Sequence, residues 1–464
     1  VRSRKVSARE VAQAMLAHIE RCNPLLNALI HVDPERVLAD ADAVDRRWKI
    51  DAALATALPG VSFSVKDNLW IEGRPASQGS LLFADFIAPA SAVAVERLQA
   101  ASGVALGGSN CSKFACKGNT TNLLHGATRN PWDATRTPGG SSGGAAAAVA
   151  AGLGHLALCT DSGGSTRRPA AHTGVVGFKP SAGAIAHPIG FTEPVFGNSV
   201  VGLMARTVED VAALFDAVAG ADPRDPMCLS DSTRPRTRLT LNNSLKGMRV
   251  AFSPRLGLDV VVDPDVAAAT VQAVVWLRDA GADVVNDDPQ WPQGTGEDAL
   301  MPLQLSGLAA IHGEAFLKNP CMFDPDIGAQ IERGMTLRAT AVANALLHRE
   351  ALYRKLDAFF GRFDLLLTPT TPCVAWPLQD LGRRTIAGQA VSHRAHAAFT
   401  PVFNHVYASA CSVPIALDRQ GMPIGAQLVA RRWQDAAVLR AAWHLQAAAP
   451  ARFRKPVPFC ATLA

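Results

Sequence analysis

Two runs decide how this chain is read: Thr137-Pro138-Gly139-Gly140-Ser141-Ser142-Gly143-Gly144 and Thr160-Asp161-Ser162-Gly163-Gly164-Ser165-Thr166-Arg167. Each sets a serine among glycines, and an Ala-rich stretch of helical length separates them. Glycines admit backbone conformations closed to other residues and let a loop pack tightly. Consecutive N–H groups in the second run can form a nest that receives an oxyanion. Upstream, an apolar run ends in Val65-Lys66-Asp67-Asn68. It reads as a strand end, where reactive groups gather in α/β proteins. Two hydroxyls and one amine, each in turn-forming sequence, suggest acyl transfer with lysine in place of histidine.

A lysine in a closed apolar site loses its charge, because desolvation penalises the ammonium form. The neutral amine can then act as a general base. Each group also has a plainer alternative. Lys66 could be a surface lysine paired with Asp67. Ser141 and Ser142 could belong to a flexible turn that caps the next helix, and Ser165 could be a capping serine. The run Gly140-Ser141-Ser142-Gly143-Gly144 also matches G-x-S-x-G, which would make Ser142 the nucleophile of a strand–turn–helix elbow. The loop residues Asn130-Pro131-Trp132-Asp133 and Pro138 before it argue against that, because such an elbow needs a strand there.

Outward from these runs, short apolar segments alternate with helical patterns. Strands are expected at 61–65, 104–107, 155–159, 248–252 and 365–367. A hairpin is expected from 411–417 and 424–429 around Asp418-Arg419-Gln420-Gly421. Helices are expected at 34–48 and 93–101, after Gly144, after Thr207, and after Asp263-Pro264. Ser7-Ala8-Arg9-Glu10 is a capping box that opens the first helix. The pattern predicts an α/β fold: a single large α/β/α sandwich whose central sheet is mixed and mostly parallel, covered by helices on both faces. We divide residues 1–464, read as one domain, into four parts. These are a helical segment at 1–55, a core at 60–220, a surface connection at 221–247, and the rest of the sheet with pocket walls at 248–464.

Composition narrows the function. With 48% apolar and 18% charged residues the chain is globular rather than disordered. A net charge of +5 is spread without basic blocks, and only two tyrosines are available for base stacking, so no nucleic-acid partner is expected. Nine cysteines lie far apart with no C-x-x-C pair, which suggests reduced thiols and a cytoplasmic location. No apolar run is long enough to span a bilayer, and the start of the chain shows no signal peptide, so no membrane partner is expected. Neither a P-loop nor an H-E-x-x-H pattern occurs, so no metal or cofactor is expected.

Together these segments resemble the amidase signature family. The specific part runs from Gly139 to Lys179-Pro180: GGSSGG, an Ala-rich helix, TDSGGSTR, then RPAAHTGVVGFKP. Further matches are Asn130-Pro131-Trp132-Asp133, Met204-Ala205-Arg206-Thr207, Leu366-Leu367-Thr368-Pro369-Thr370 and Pro423-Ile424-Gly425-Ala426-Gln427. The resemblance covers roughly residues 7 to 450. It implies an amidohydrolase with a Ser–cis-Ser–Lys triad: Ser165 as nucleophile, Ser141 as the bridging serine on a cis peptide, and Lys66 as base. It further implies an oxyanion hole from the backbone of Ser162, Gly163 and Gly164, together with the N–H of Ser165. Ser142, Asp161 and Arg167 become structural supports. Ala115 falls at a backbone contact to substrate, with Lys117 and Asn119 in the same pocket segment.

Several positions depart from the family pattern. Ser62 stands where Pro is usual, and Cys159 where Gly is usual. Lys113 stands where an acidic residue is common, and Lys117 and Asn119 where small residues are. An aliphatic residue or Gln usually occupies the position of Arg168. Lys113, Lys117 and Arg168 make the surroundings basic. The substrate could therefore carry a carboxylate, or these side chains could point to solvent or pair with surface acids. Pocket walls are expected from 189–196 and 301–335. Phe191, Phe196, Leu303, Leu305 and Phe316 are either lining or ordinary core. The expected partner is a small-molecule amide, with a homodimer possible. The alternatives are the glutaminase subunit of a tRNA-dependent amidotransferase, whose tyrosine-bearing segment is not matched by Arg333-Gly334-Met335-Thr336-Leu337-Arg338-Ala339, and a catalytically silent binding module.

Overall fold

The apolar run that ends at Lys66 is a strand buried along its whole length. The computed structural model describes residues 1, 5–50, 58–228, 237–296 and 299–457. Among these, eleven strands form one sheet. In chain order they are β1 (Leu29–Ile30), β2 (Ser62–Lys66), β3 (Val104–Ser109), β4 (Leu156–Asp161), β5 (Val176–Lys179) and β6 (Val200–Ala205). The rest are β7 (Arg249–Phe252), β8 (Asp283–Asn286), β9 (Leu365–Pro369), β10 (Ser409–Leu417) and β11 (Pro423–Ala430). Across the sheet the order is β1-β3-β2-β4-β6-β5-β10-β11-β9-β7-β8.

The sheet is mixed, as expected, but antiparallel pairings outnumber parallel ones. Six neighbouring pairs are antiparallel and four are parallel. The excess arises at the centre. There β6 runs against both β4 and β5, and β10 against both β5 and β11. The β10–β11 hairpin closes through Asp418, whose N–H donates to the Met422 carbonyl at 2.8 Å, with Gly421 at φ +82°.

Alternation along β4 shows why both sheet faces are covered. Leu156 and Leu158 pack into the main core with Leu98, Val211, Leu214 and Leu439. These come from α3 (Val93–Ala100), α6 (Val208–Val218) and α12 (Asp435–Ala448), and α7 (Pro264–Asp279) joins the same layer. Ala157 and Cys159 point the other way, against Ala145, Ala146 and Val149 of α4 (Gly143–Ala151). Strands buried on both faces read as continuous apolar runs. Next to α4 lies α5 (Arg167–Thr173). Nothing larger than alanine and valine would let α4 lie so close to the sheet, and every one of its residues is buried.

At one edge, α1 (Ala8–Leu26) and α2 (Pro34–Ile50) pack on each other and on β3. The capping box at Ser7 and Glu10 is present. At the other end, α8 (Met301–Lys318) and α9 (Pro325–Met335) share a small core, and α10 (Ala339–Phe359) packs on α8 while burying Leu352, Leu356 and Phe359 against a separate cluster with Ala251 and Leu366. Of the connection at 221–247, residues 229–236 lie outside the described part. Seven of the described cysteines are free thiols. Cys22, on the buried side of α1, is instead disulfide-bonded, against the expectation of reduced thiols. Among the described residues no helix is long and apolar enough to cross a membrane.

Phe178 of β5 is fully buried and meets Phe215 of α6 edge-on, with ring centroids 5.3 Å apart. Phe178→Ala is expected to lower stability by about 3–5 kcal/mol, read as a fall in the urea midpoint at unchanged slope.

Candidate active site

Lys66 is the last residue of β2. Phe63 and Val65 face the main core, so alternation turns Ser64 and Lys66 toward α4. There Lys66 Nζ lies 2.8 Å from Ser141 Oγ and 2.9 Å from Thr160 Oγ1. Asn68 Nδ2 donates to the same threonine oxygen at 3.0 Å. Lys66 and Ser141 are fully buried, and Ser165 is 5% exposed. The Gly140–Ser141 peptide bond is cis.

The loop before α4 is fixed by backbone contacts. Ser112 N–H donates to the Ser141 carbonyl, and Ser142 N–H donates to the Ser165 carbonyl, both at 3.2 Å. Thr120 Oγ1 donates to the Gly139 carbonyl and accepts from Gly143 N–H, both at 2.9 Å. A Cβ on Gly140 would lie 2.5 Å from the Asn119 carbonyl oxygen, so only glycine fits there. The glycine-flanked loop is therefore packed, not flexible.

The second loop is organised by Asp161. Its carboxylate accepts from Gly164 N–H at 2.7 Å, Thr166 N–H at 3.1 Å and Asn404 Nδ2 at 2.9 Å. Arg167 closes the set with Nη2 at 2.9 Å and Nε at 3.1 Å, both groups fully buried. Burial alone would raise the Asp161 carboxyl. The Arg167 guanidinium, with help from Lys179 and Asn404, holds it well below the usual range. Gly164, at φ +106°, has no room for a side chain, since a Cβ would meet Thr400 Oγ1 at 2.1 Å. Its N–H donates to the Asp161 carboxylate.

Burial, the largest effect, lowers the Lys66 ammonium from its ordinary value. Asp161 and the nearby thiol groups act to raise it, by less than burial lowers it. Cys116 and Cys159 are pushed up to about 12 by burial, and Cys111 further still, so all three are neutral thiols. Asp67 does not pair with Lys66. Its carboxylate accepts from Ser77 N–H at 2.9 Å, from Gly79 N–H at 3.0 Å and from the Ser77 hydroxyl.

The second loop borders a cavity of about 360 Å³, lined by Ser162, Gly163 and Ser165 on one side. Val195, Met301, Leu303, Gln304 and Gln330 form the opposite wall, within the two stretches expected to supply it. Ala115 lines the cavity too, on a turn where Phe114 and Ala115 both have positive φ, uncommon without glycine. Of the aromatic and aliphatic candidates, Leu303 lines this cavity, Leu305 and Phe316 are core, and Phe196 is half exposed.

The basic candidates separate. Lys113 is buried, donates to the Met322 carbonyl and lies 4.5 Å from the Phe323 ring centroid, away from the cavity. Lys117 is part of the wall, but its ammonium is held by Asp324 at 2.5 Å and Asp326 at 3.2 Å. Asn119 lies behind the wall, donating to the Asp380 carbonyl at 3.1 Å, with its own carbonyl against Gly140. Of the three cations, Arg168 alone lines the cavity without a carboxylate at ion-pair distance among the described residues. His393 and His396, three apart in the sequence but without an acidic cluster to suggest a metal, also line it, as do Arg394 and His405, to which the sequence gave no role. They sit beyond the motif in a segment without periodicity. No cluster among the described residues could hold a metal.

The fold and this site define an enzyme of the hydrolase class. The sequence model of the family described as Amidase matches residues 10–439. An acylamidase of Rhodococcus erythropolis is 34% identical over 458 residues, 98% of this chain and 95% of that protein. A glutamyl-tRNA(Gln) amidotransferase subunit of Symbiobacterium thermophilum is 33% identical over 95% of this chain and 93% of that one. A bacterial aryl acylamidase of the amidase signature family superposes with a TM-score of 0.90 at 26% identity, covering 98% of this chain and 96% of its own. The chain belongs to the amidase signature family and is a hydrolase that acts on amide bonds.

Asp161 is ionised in the fold at a pH where an unfolded aspartate takes up its proton, because its folded value is depressed. The stability it supplies is present above about pH 4 and is lost as pH falls toward the folded value. Asp161→Asn is expected to unfold more readily at neutral pH, by about 3–5 kcal/mol, and to show a flatter loss of stability on acidification. Urea titrations of both proteins between pH 3 and 7 check this.

Proposed function

We propose that this protein hydrolyses carboxylic amides through an acyl-enzyme on Ser165, with Ser141 and Lys66 relaying the proton. The observation that carries this reading is the 2.8 Å contact between Lys66 Nζ and Ser141 Oγ, in a buried setting that favours the neutral amine. Neutral Lys66 takes the proton of Ser141, which takes that of Ser165. Ser165 Oγ then attacks the amide carbonyl. The oxyanion rests on the N–H groups of Ser162, Gly163 and Ser165, since Gly164 N–H is bound to Asp161. The proton returns through Ser141 to the departing nitrogen, the C–N bond breaks, and water then cleaves the acyl-enzyme to acid and free Ser165.

Arg168 narrows the acyl group. Burial pushes its guanidinium down to about 9, and the groups it bonds are neutral: His396 Nδ1 at 2.9 Å and the Gly164 carbonyl at 3.4 Å. A substrate carboxylate would supply the missing counter-charge. Lys113 and Lys117 drop out of that role because Met322, Asp324 and Asp326 already hold them.

A second reading, the glutaminase subunit of a tRNA-dependent amidotransferase, is favoured by the 33% identity to one protein of that kind. The 333–339 segment without tyrosine weighs against it. Purification as a stable complex from its own host would favour the second reading, and full amidase activity of the isolated chain the first.

Ser165→Ala is expected to lower kcat on the order of 10⁴-fold, and Ser141→Ala by about 10²–10⁴-fold. Labelling of Ser165 by a fluorophosphonate should fail in Lys66→Ala. The rate should rise with pH along a limb whose midpoint lies below the ordinary lysine range, because burial lowers Lys66. Intact turnover by Ser165→Ala would refute the scheme.

Arg168→Met is expected to cost about 10- to 100-fold in kcat/KM on a carboxylated amide, the worth of one hydrogen-bonded charge. On the neutral analogue it should cost far less. Equal losses on the two would mean that Arg168 only braces the Gly164 loop.

A further inference from the structure

His405 ends the short helix α11 (Pro401–His405) and lines the same cavity as Ser165. One edge of its ring is held by the protein: Nδ1 meets Asn198 Nδ2. Asn198 is 1% exposed and follows the stretch that brings Val195 to the cavity wall. Its Oδ1 accepts from Arg349 Nη1 at 3.2 Å. Arg349 comes from α10, donates to the Phe196 carbonyl at 3.4 Å, and lies 6.0 Å from the Tyr407 ring centroid.

These contacts fix where the protons are. A guanidinium can only donate, so the Asn198 oxygen faces Arg349 and its NH2 faces the histidine. An amide NH2 can only donate too, so His405 Nδ1 is a bare acceptor. A neutral imidazole with a bare Nδ1 carries its proton on Nε2. Charging the ring would set N–H against N–H. Burial, with Arg349 nearby, already pushes His405 down to about 3. Nε2 has no hydrogen-bond partner among the described residues and is not closed off from solvent. The wall around it is apolar. Val402 precedes His405 by one turn, Leu352 follows Arg349 by one turn, and Leu300 packs on their cluster. An N–H in such a setting is costly unless a ligand accepts from it.

Resting on the amidase reading above, we propose that His405 is a specificity-determining residue, a neutral N–H donor whose proton is placed on Nε2 by the Arg349–Asn198 relay and which selects substrates whose acyl group carries an oxygen acceptor. A hydrocarbon acyl group of the same length leaves Nε2–H unpaired and is turned over less well. His405 exchanges no proton with the substrate. It acts on recognition, while Ser165, Ser141 and Lys66 act on the bond.

The test uses amides of one carbon skeleton that carry a methylene, a keto group or a hydroxyl at successive positions from the γ carbon of the acyl chain outward. The keto oxygen only accepts, whereas the hydroxyl accepts or donates. At one position the wild type is expected to favour keto and hydroxyl over methylene by about 5- to 100-fold in kcat/KM, the worth of one buried hydrogen bond left unmade. In His405→Phe both ratios should fall to about one. Asn198→Asp sets an acceptor against Nδ1, which moves the ring proton there and leaves Nε2 bare. Assayed at about pH 9, where even an ordinary histidine is neutral, this variant should keep the hydroxyl advantage and lose the keto one. A merely structural role for Asn198 would move all three substrates alike. Nitrogen-15 spectra of histidine-labelled wild type should show the His405 proton on Nε2. The proposal is overturned if the wild type prefers no oxygenated substrate at any position, if His405→Phe keeps the preference, or if the proton sits on Nδ1. Each of these leaves the Ser165 chemistry standing when a fluorophosphonate still labels Ser165, whereas undiminished turnover by Ser165→Ala sinks the parent reading instead.

Discussion

The buried pair of Asp161 and Arg167 is the contact on which the site depends. Both side chains are fully shielded from water. Removing two charges from water is expensive, and their attraction offsets it only if the remaining hydrogen-bonding capacity is satisfied. Here it is. Asp161 gathers the N–H groups of its own loop and the Asn404 amide. Arg167 reaches Gln427 Oε1 at 2.7 Å, Asn404 Oδ1 at 2.6 Å and the Thr400 carbonyl at 3.1 Å. The pair thus ties the Ser162–Ser165 turn to β11 and to the segment around 400–404. A turn held from two sides keeps its N–H groups aimed without reorganisation, which is what stabilisation of a developing oxyanion requires.

The second constraint is the burial of Lys66. The Asp161 carboxylate acts to keep its proton, but desolvation, which favours the neutral amine, is the larger effect. The nearest acid in sequence, Asp67, is turned toward Ser77 and Gly79. The neighbouring thiols are held protonated by the same burial that neutralises the amine. What touches Lys66 Nζ is hydroxyl oxygen, from Ser141 and Thr160. One environment therefore sets both the protonation state and the geometry of the lysine.

Much of this was legible because glycine and serine report local geometry. The crowding at Gly140 and Gly164 explains why those runs could be read without a structure. Strands with turn signals on both sides, such as β2, β4 and the β10–β11 hairpin, were legible for the same reason. β5 and β6 were not. They are short, buried on both faces, and follow helix and loop with little alternation to distinguish them. Missing them hid the antiparallel centre of the sheet. Lys117 and Asn119 show the limit at the site. Sequence placed them in the pocket segment, but the partners that decide their roles, Asp324, Asp326 and Asp380, lie more than two hundred residues away in the chain.

That distance also separates chemistry from selectivity. The groups proposed to act on the amide come from residues 66–168, whose positions are fixed by sheet register and by the Asp161–Arg167 pair. The facing wall comes from α8 and α9, which pack on a small core of their own: Phe114, Leu308, Phe316, Phe323, Ile327 and Ile331. Only Phe114 in that core belongs to the chemical half, and its neighbour Ala115 lines the cavity. Lys117 with Asp324 and Asp326 is the polar counterpart of that link. A wall with its own core can change its lining without disturbing β2, β4 or the loops between them. Related sequences can then keep one way of opening an amide while differing in which amide they admit, and in this chain Arg168 lines the cavity that the two halves share.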